Sequence, residues 1–135
     1  MREYKLRGTS VENKIKTSSI YFIFIERYIM NNNHKKYLLW IDDLRPVPND
    51  YINCYYIIIA KSYTQAIKAL HKFKYDIICL DHDLGEDKTG YDVCKYIIEN
   101  NISCKEFRIH TSNPVGRLNM TQLLNRYTEA IINQY

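Results

Sequence analysis

The sequence predicts an α/β protein: a three-layer α/β/α, doubly wound parallel sheet, truncated to about four core strands. Three observations carry this. Short apolar runs recur at Tyr37–Ile41, Tyr55–Ala60, Asp76–Leu80 and Phe107–Ile109. Segments with helical spacing of apolar residues separate most of them, as in βαβ units. Three of the runs end directly in acids or histidines, namely Asp42-Asp43, Asp81-His82-Asp83 and His110-Thr111-Ser112-Asn113. Ligands of open parallel sheets bind beyond the carboxyl ends of the strands, so these endings are expected to share one crevice.

The elements follow in order. Residues 37–41 form the first strand. Pro46 and Pro48 then argue for a loop in place of a first helix. Tyr55–Ala60 is continuously apolar, which predicts a buried parallel strand. Ser62-Tyr63-Thr64-Gln65 has the spacing of a capping box, opening a helix that buries Tyr63, Ala66, Ile67, Leu70 and Phe73. Residues 76–80 form a strand. A helix begins at Thr89-Gly90, buries Val93, Cys94, Ile97 and Ile98, and ends at Asn100-Asn101. Residues 106–110 form the last strand. Asn113–Gly116 is expected to turn, and a helix from about Arg117 to Ile132 buries Leu123, Leu124, Tyr127, Ala130 and Ile131.

At 135 residues the chain suits one domain with a real core. Residues 37–135 carry the regular α/β pattern. Residues 1–36 form an N-terminal extension with no assigned role, rich in Lys, Ser, Thr and Asn. Two readings of it stand: an over-extended reading frame whose true start is Met30, with the preceding residues disordered or never made, or a genuine strand or helix docked at the sheet edge.

Apolar content is 46% and charged content 25%, ordinary values for a water-soluble fold. The net charge of +4 gives a mildly basic surface and only a weak prior for nucleic acid; no DNA-binding motif is present. No run approaches the roughly 20 apolar residues of a membrane span, because Ile20–Ile25 is followed at once by Glu26-Arg27. Cys54, Cys79, Cys94 and Cys104 form neither a CxxC pair nor a zinc-like spacing with histidine. They are expected as buried free thiols, which fits a reducing, intracellular (cytoplasmic) location.

The strand ends carry the chemistry. Asp42 and Asp43, with Asp81 and Asp83, offer oxygen ligands for a hard cation such as Mg²⁺ or Mn²⁺; an Asp closing a strand into a loop is the plainer alternative. His82, between two acids, suits a general acid or base held in one tautomer by a carboxylate. His110 adds a second imidazole. Thr111, Ser112 and Asn113 offer neutral hydrogen-bonding groups, and Gly116 with the start of the last helix offers backbone N–H groups to an anion. Arg117 opposes the macrodipole at that helix start, which suits a phosphate contact. Arg45 either points into the crevice or covers the sheet edge. Two imidazoles facing one phosphate can hydrolyse a cyclic phosphodiester, one taking a proton from water and the other protonating the leaving ribose oxygen.

At these residues the chain resembles the receiver domain of response regulators, a flavodoxin-like fold. More closely, it resembles the cyclic-phosphate processing receiver domain. The resemblance lies in Asp42-Asp43-Leu44-Arg45-Pro46, Leu80-Asp81-His82-Asp83-Leu84-Gly85, Thr89-Gly90-Tyr91-Asp92-Val93 and His110–Arg117, within about residues 37–130. It implies a receiver-like sheet and a phosphoesterase-like activity on RNA 2′,3′-cyclic phosphate ends or cyclic nucleotides. On that reading His82, His110 and Asp81 are catalytic. Thr111, Ser112, Asn113, Gly116, Arg117 and Arg45 bind phosphate, and Asp42, Asp43, Asp81 and Asp83 hold the metal. The alternative is a non-catalytic signalling or nucleotide-binding module with Asp81 as phosphoacceptor. The chain lacks the fifth strand and the lysine at its end that a signalling receiver uses, which disfavours that switch.

Overall fold

The computed structural model describes residues 20, 22–25 and 36–134. The chain divides into two compact units, residues 1–35 and 36–135. In the first, residues 20 and 22–25 are helical; the rest of the N-terminal extension lies outside the described residues.

The second unit is a four-stranded parallel sheet with flanking helices. Its elements are β1 (Lys36–Ile41), α1 (Asn49–Ile52), β2 (Tyr55–Ala60), α2 (Tyr63–Lys72), β3 (Ile77–Leu80), α3 (Gly90–Glu99), β4 (Glu106–Ile109) and α4 (Pro114–Ile132). The strand order is β2-β1-β3-β4. The chain thus reverses direction between β1 and β3, the switch point at which such sheets bind ligands. A right-handed crossover from β1 to β2 must lie on the face opposite to those from β2 to β3 and from β3 to β4. The packing obeys this. Ala66, Leu70, Val93, Cys94, Ile97, Met120 and Leu124 from α2, α3 and α4 pack with Leu39, Ile41, Ile78 and Leu80. On the other face Leu38, Trp40, Ile77 and Cys79 are covered by Val47, Tyr51, Tyr55 and Ile57. The layer on that side includes the β1–β2 connection, a loop followed by the single turn α1. Each fully buried aliphatic side chain contributes roughly 1.5–3 kcal/mol, so the helix-side cluster dominates the core.

Alternation along each strand sends successive side chains to opposite faces, and the register aligns the strand ends. Ile41 pairs with both Ala60 and Leu80, and Leu80 pairs with Ile109. The ladder continues one residue further: Asp42 N donates to Ala60 O (3.1 Å), Asp81 N to Ile41 O (2.9 Å) and His110 N to Leu80 O (3.0 Å).

Several expectations are corrected by this packing. Tyr55–Ala60 is a strand as predicted, but an edge strand; Ile59 is 53% exposed. The proline loop is present over residues 45–48, and one helical turn, α1, follows it. In α2 the Ser62 hydroxyl accepts from Gln65 N (3.2 Å), while the Gln65 side chain accepts from Lys61 N (2.8 Å), one residue before the cap. Phe73 lies past the end of α2 and stacks on Tyr37; Ala69 is buried in its stead. The helix α4 starts at Pro114, not Arg117. Proline at the first helical position has its φ preset and needs no N–H partner, and Asn113 caps the helix by accepting from Gly116 N (2.8 Å). Ala130 is exposed, whereas Met120 is buried. Cys79 and Cys94 are buried and free, Cys104 is half-buried, and Cys54 is exposed.

The start of α3 shows how one side chain sets a boundary. Asp92 accepts from Thr89 N (2.9 Å) and pairs with Lys95 (2.8 Å). The Lys95 ammonium and the Thr89 amide hold its carboxyl at about 2, below the ~3.9 of an unfolded chain. A group depressed on folding stabilises above its unfolded value and loses that contribution as pH falls through its folded value. Asp92→Ala is therefore expected to cost about 1 kcal/mol at neutral pH. In urea unfolding, the gap between parent and variant should close between about pH 4 and pH 2.

Candidate active site at the strand ends

The continued ladder sets the site. Asp42, Asp81 and His110 each follow the last residue of β1, β3 and β4, and they share the sheet face of Trp40, Cys79 and Arg108 by alternation. Asp42 is 1% exposed and Asp81 7%. With Asp43 they bring one ligand atom each to within 4.8 Å of one another. Gly85 makes room for Asp43: its φ is +66°, and a Cβ there would lie 2.7 Å from Asp43 Oδ2. Asp42 Oδ1 accepts from Leu44 N (2.8 Å) and Arg45 N (2.6 Å), which turns the chain sharply after β1. Asp81 Oδ1 accepts from His82 N (2.7 Å).

Among the described residues, no lysine or arginine forms an ion pair with these three carboxylates. Like charges this close repel, and a hard cation offsets that repulsion with oxygen ligands alone. The donor set fits Mg²⁺ or Mn²⁺. Asp83 stands outside this cluster, contrary to the expectation that it would be a fourth ligand. Its exposed carboxylate pairs with His82 instead.

The two histidines occupy different surroundings. The His110 ring stacks on Trp40, with centroids 4.0 Å apart and planes at 13°. Its Nε2 lies 3.0 Å from Asp42 Oδ2, and its Nδ1 is buried with no hydrogen-bond partner. Burial pushes its pKa below the ordinary histidine value, against the pull of the Asp42 and Asp81 carboxylates. The neutral ring thus donates from Nε2 to Asp42, and its Nδ1 lone pair is buried without a partner.

His82 turns to the helix side. Its Nδ1 lies 2.9 Å from Asp83 Oδ1 and 3.4 Å from the Asn113 amide nitrogen. Asn113 is fixed with Oδ1 toward Gly116 N, so its amide nitrogen is a donor. In a neutral ring the shorter contact suits Nδ1–H donating to Asp83, which leaves the lone pair on Nε2. The ring lies directly on α4, where a Cβ at Gly116 would come 2.4 Å from His82 Cγ. A Cβ at Gly90 would come 1.8 Å from Asp81 O, so the start of α3 lies against the Asp81-His82 backbone while the start of α4 lies against the His82 side chain.

The expected phosphate contacts divide. The Arg45 guanidinium donates from Nη1 to His110 O. That of Arg117 donates to Ile109 O (3.2 Å) and Thr111 O. Both are anchored on the end of β4, with further N–H donors left over. Thr111 is buried, and its hydroxyl accepts from Asn113 N (3.2 Å). Ser112 is exposed beside it. The α4 N-terminus is a poorer anion site than expected. Pro114 has no N–H, Gly116 N is taken by Asn113, and Arg117 N bonds Asn113 O (2.9 Å).

Sequence reasoning missed Trp40, whose parity with Asp42 two residues on was a usable signal. It also missed the contacts of Gly90 with the Asp81-His82 backbone and of Gly116 with the His82 ring, which depend on two helices meeting one loop.

Two outcomes check this geometry. Gly116→Ala forces the His82 ring aside; it should destabilise the fold by roughly 1–3 kcal/mol and shift the His82 ring resonances in NMR spectra. Millimolar Mn²⁺ should raise the unfolding temperature of the parent by more than matched K⁺, and Asp43→Asn should remove most of that difference, because a ligand bound only by the native state stabilises it.

No curated protein and no solved structure matches the chain. The family model of the cyclic-phosphate processing receiver domain matches residues 37–126, spanning β1 to β4 and most of α4. With two thirds of its length so matched, and every residue of the crevice inside the match, the chain belongs to the cyclic-phosphate processing receiver domain family.

Proposed function

We propose that this protein is a phosphoesterase-like member of its family that opens cyclic phosphodiesters, on RNA 2′,3′-cyclic phosphate ends or on cyclic nucleotides. The Asp83–His82 pair, directly after Asp81 of the three-carboxylate cluster in the chain, carries this reading. Asp42, Asp43 and Asp81 would hold a divalent ion, which when bound neutralises phosphate charge. His82 does the proton transfer. Its Nε2 takes a proton from the attacking water as the new P–O bond forms. The resulting imidazolium, stabilised by Asp83, returns a proton to the ribose oxygen as the old P–O bond breaks. Phosphorus stays at the same oxidation level, and one water is consumed.

His110 has a different task from the acid–base role expected of it. It holds Asp42 in place through Nε2 while Trp40 holds the ring. Arg45 and Arg117 flank the crevice and supply N–H donors to phosphate oxygens.

A hydrolysis screen with Mg²⁺ or Mn²⁺ tests the reading, using 2′,3′-cyclic nucleotides and oligoribonucleotides ending in a cyclic phosphate. Controls are 3′,5′-cyclic nucleotides and cyclic dinucleotides. His82→Ala is expected to lower turnover by about 10²-fold or more. His110→Ala should instead weaken the dependence on the divalent ion, raising the concentration needed for half-maximal rate. Undiminished turnover in His82→Ala would remove the proton-transfer role. Saturable binding without turnover would make the protein a nucleotide-binding module, and a stable phosphoryl group on Asp81 after treatment with a small phosphodonor would make it a phosphoacceptor.

A further inference from the structure

A groove of about 470 Å³ runs along the open edge of β4, between that strand and α4. Its floor is apolar, from Phe107, Ile109 and Leu124, and its walls include Arg117, Thr121 and Asn125. The volume falls in the about 300–1,000 Å³ range of small-molecule sites. We propose that this groove holds the base and ribose of the nucleotide whose cyclic phosphate lies in the crevice, which makes the preferred ligand a nucleoside cyclic phosphate over a base-free one. The inference rests on the crevice reading above.

Three observations support it. The groove adjoins the crevice along the chain. Arg117 lines it and directly follows Gly116, against which His82 packs, and Ile109 lines it and directly precedes His110. A phosphate held near His82 therefore has its ribose directed over Arg117. The chemistry of the lining also suits one base. An apolar floor with a half-buried aromatic ring gives a stacking and packing surface, the Asn125 amide both donates and accepts, and the Thr121 hydroxyl does the same. Charge then limits the occupant to one nucleoside. Lys105 at the far end is paired with Asp76, Glu106 with Arg108, and Glu129 adds a carboxylate. A run of phosphates would meet no free cation there beyond Arg117, so an RNA strand has no track to follow along the groove.

Calorimetric titration of the full chain, with Mn²⁺ present, tests this with two probes: adenosine 2′,3′-cyclic phosphate and glycerol 1,2-cyclic phosphate, which lacks a base. The parent should bind the nucleotide about tenfold more tightly or better. Thr121→Phe, which fills the groove, should erase that preference while leaving glycerol cyclic phosphate binding unchanged. Asn125→Ala, an exposed position, should reduce the preference with no change in unfolding temperature. Equal affinity of the two probes in the parent, or a preference that survives Thr121→Phe, would overturn the groove assignment, as would failure of both probes to bind. Equal turnover of both probes would overturn the groove and leave the crevice reading standing. Groove-dependent nucleotide binding without turnover would do the reverse.

Discussion

The site depends on a hydrogen-bond ladder that runs one residue past the strands. Asp42, Asp81 and His110 are placed by backbone bonds to the neighbouring strand, not by loop conformation. Neighbouring strands lie about 4.8 Å apart, so this register alone brings two buried carboxylates and an imidazole side by side on one face. The closeness of Asp42 and Asp81 is built into the sheet pairing, and Asp43 joins them from the loop after β1. A divalent ion would relieve their mutual repulsion, and among the described residues no lysine or arginine pairs with these carboxylates to do so instead.

The two histidines look alike in sequence and differ in structure because of parity. His110 takes the strand's own direction and lands on Trp40, where Asp42 takes Nε2 and Nδ1 is buried without a partner. His82 comes one residue after its strand's last ladder position and falls to the helix side, where Asp83 fixes Nδ1. One imidazole thus becomes part of the scaffold and the other keeps a free lone pair. Gly116 gives His82 its place by lacking a side chain, so α4 contributes to the site through packing more than through its N-terminal dipole.

Much of the fold was legible because β-branched runs and helical spacing are local signals. All four strands lie where the apolar runs put them, and so do α2 and α3. The failures came from signals that depend on neighbours. Tyr55–Ala60 reads as buried because it is continuously apolar, yet strand order, which no local pattern encodes, puts it at the edge. Pro114 reads as a breaker in a turn, yet with Asn113 before it proline opens a helix. In the crevice, the grouping of Asp42, Asp43 and Asp81 was legible from the strand ends, and the contacts of the two histidines were not. Asp83 lies at hydrogen-bond distance from His82 Nδ1 and stands outside the acidic cluster, which its spacing along the chain did not reveal. The burial of His110 depends on a tryptophan reaching across β3 from β1, which no spacing along the chain reveals.

The claim on which the account turns is that the Asp42, Asp43 and Asp81 cluster is the ion site and that Asp83–His82 stands beside it as a proton-transfer pair. Anomalous diffraction from Mn²⁺-soaked crystals of the protein tests it most directly. The account predicts a peak within about 2.0–2.6 Å of an oxygen from each of those three residues, with His82 Nε2 unligated and Nδ1 still on Asp83. A peak bonded to His82 or Asp83, or no peak at the cluster at saturating Mn²⁺, would contradict it.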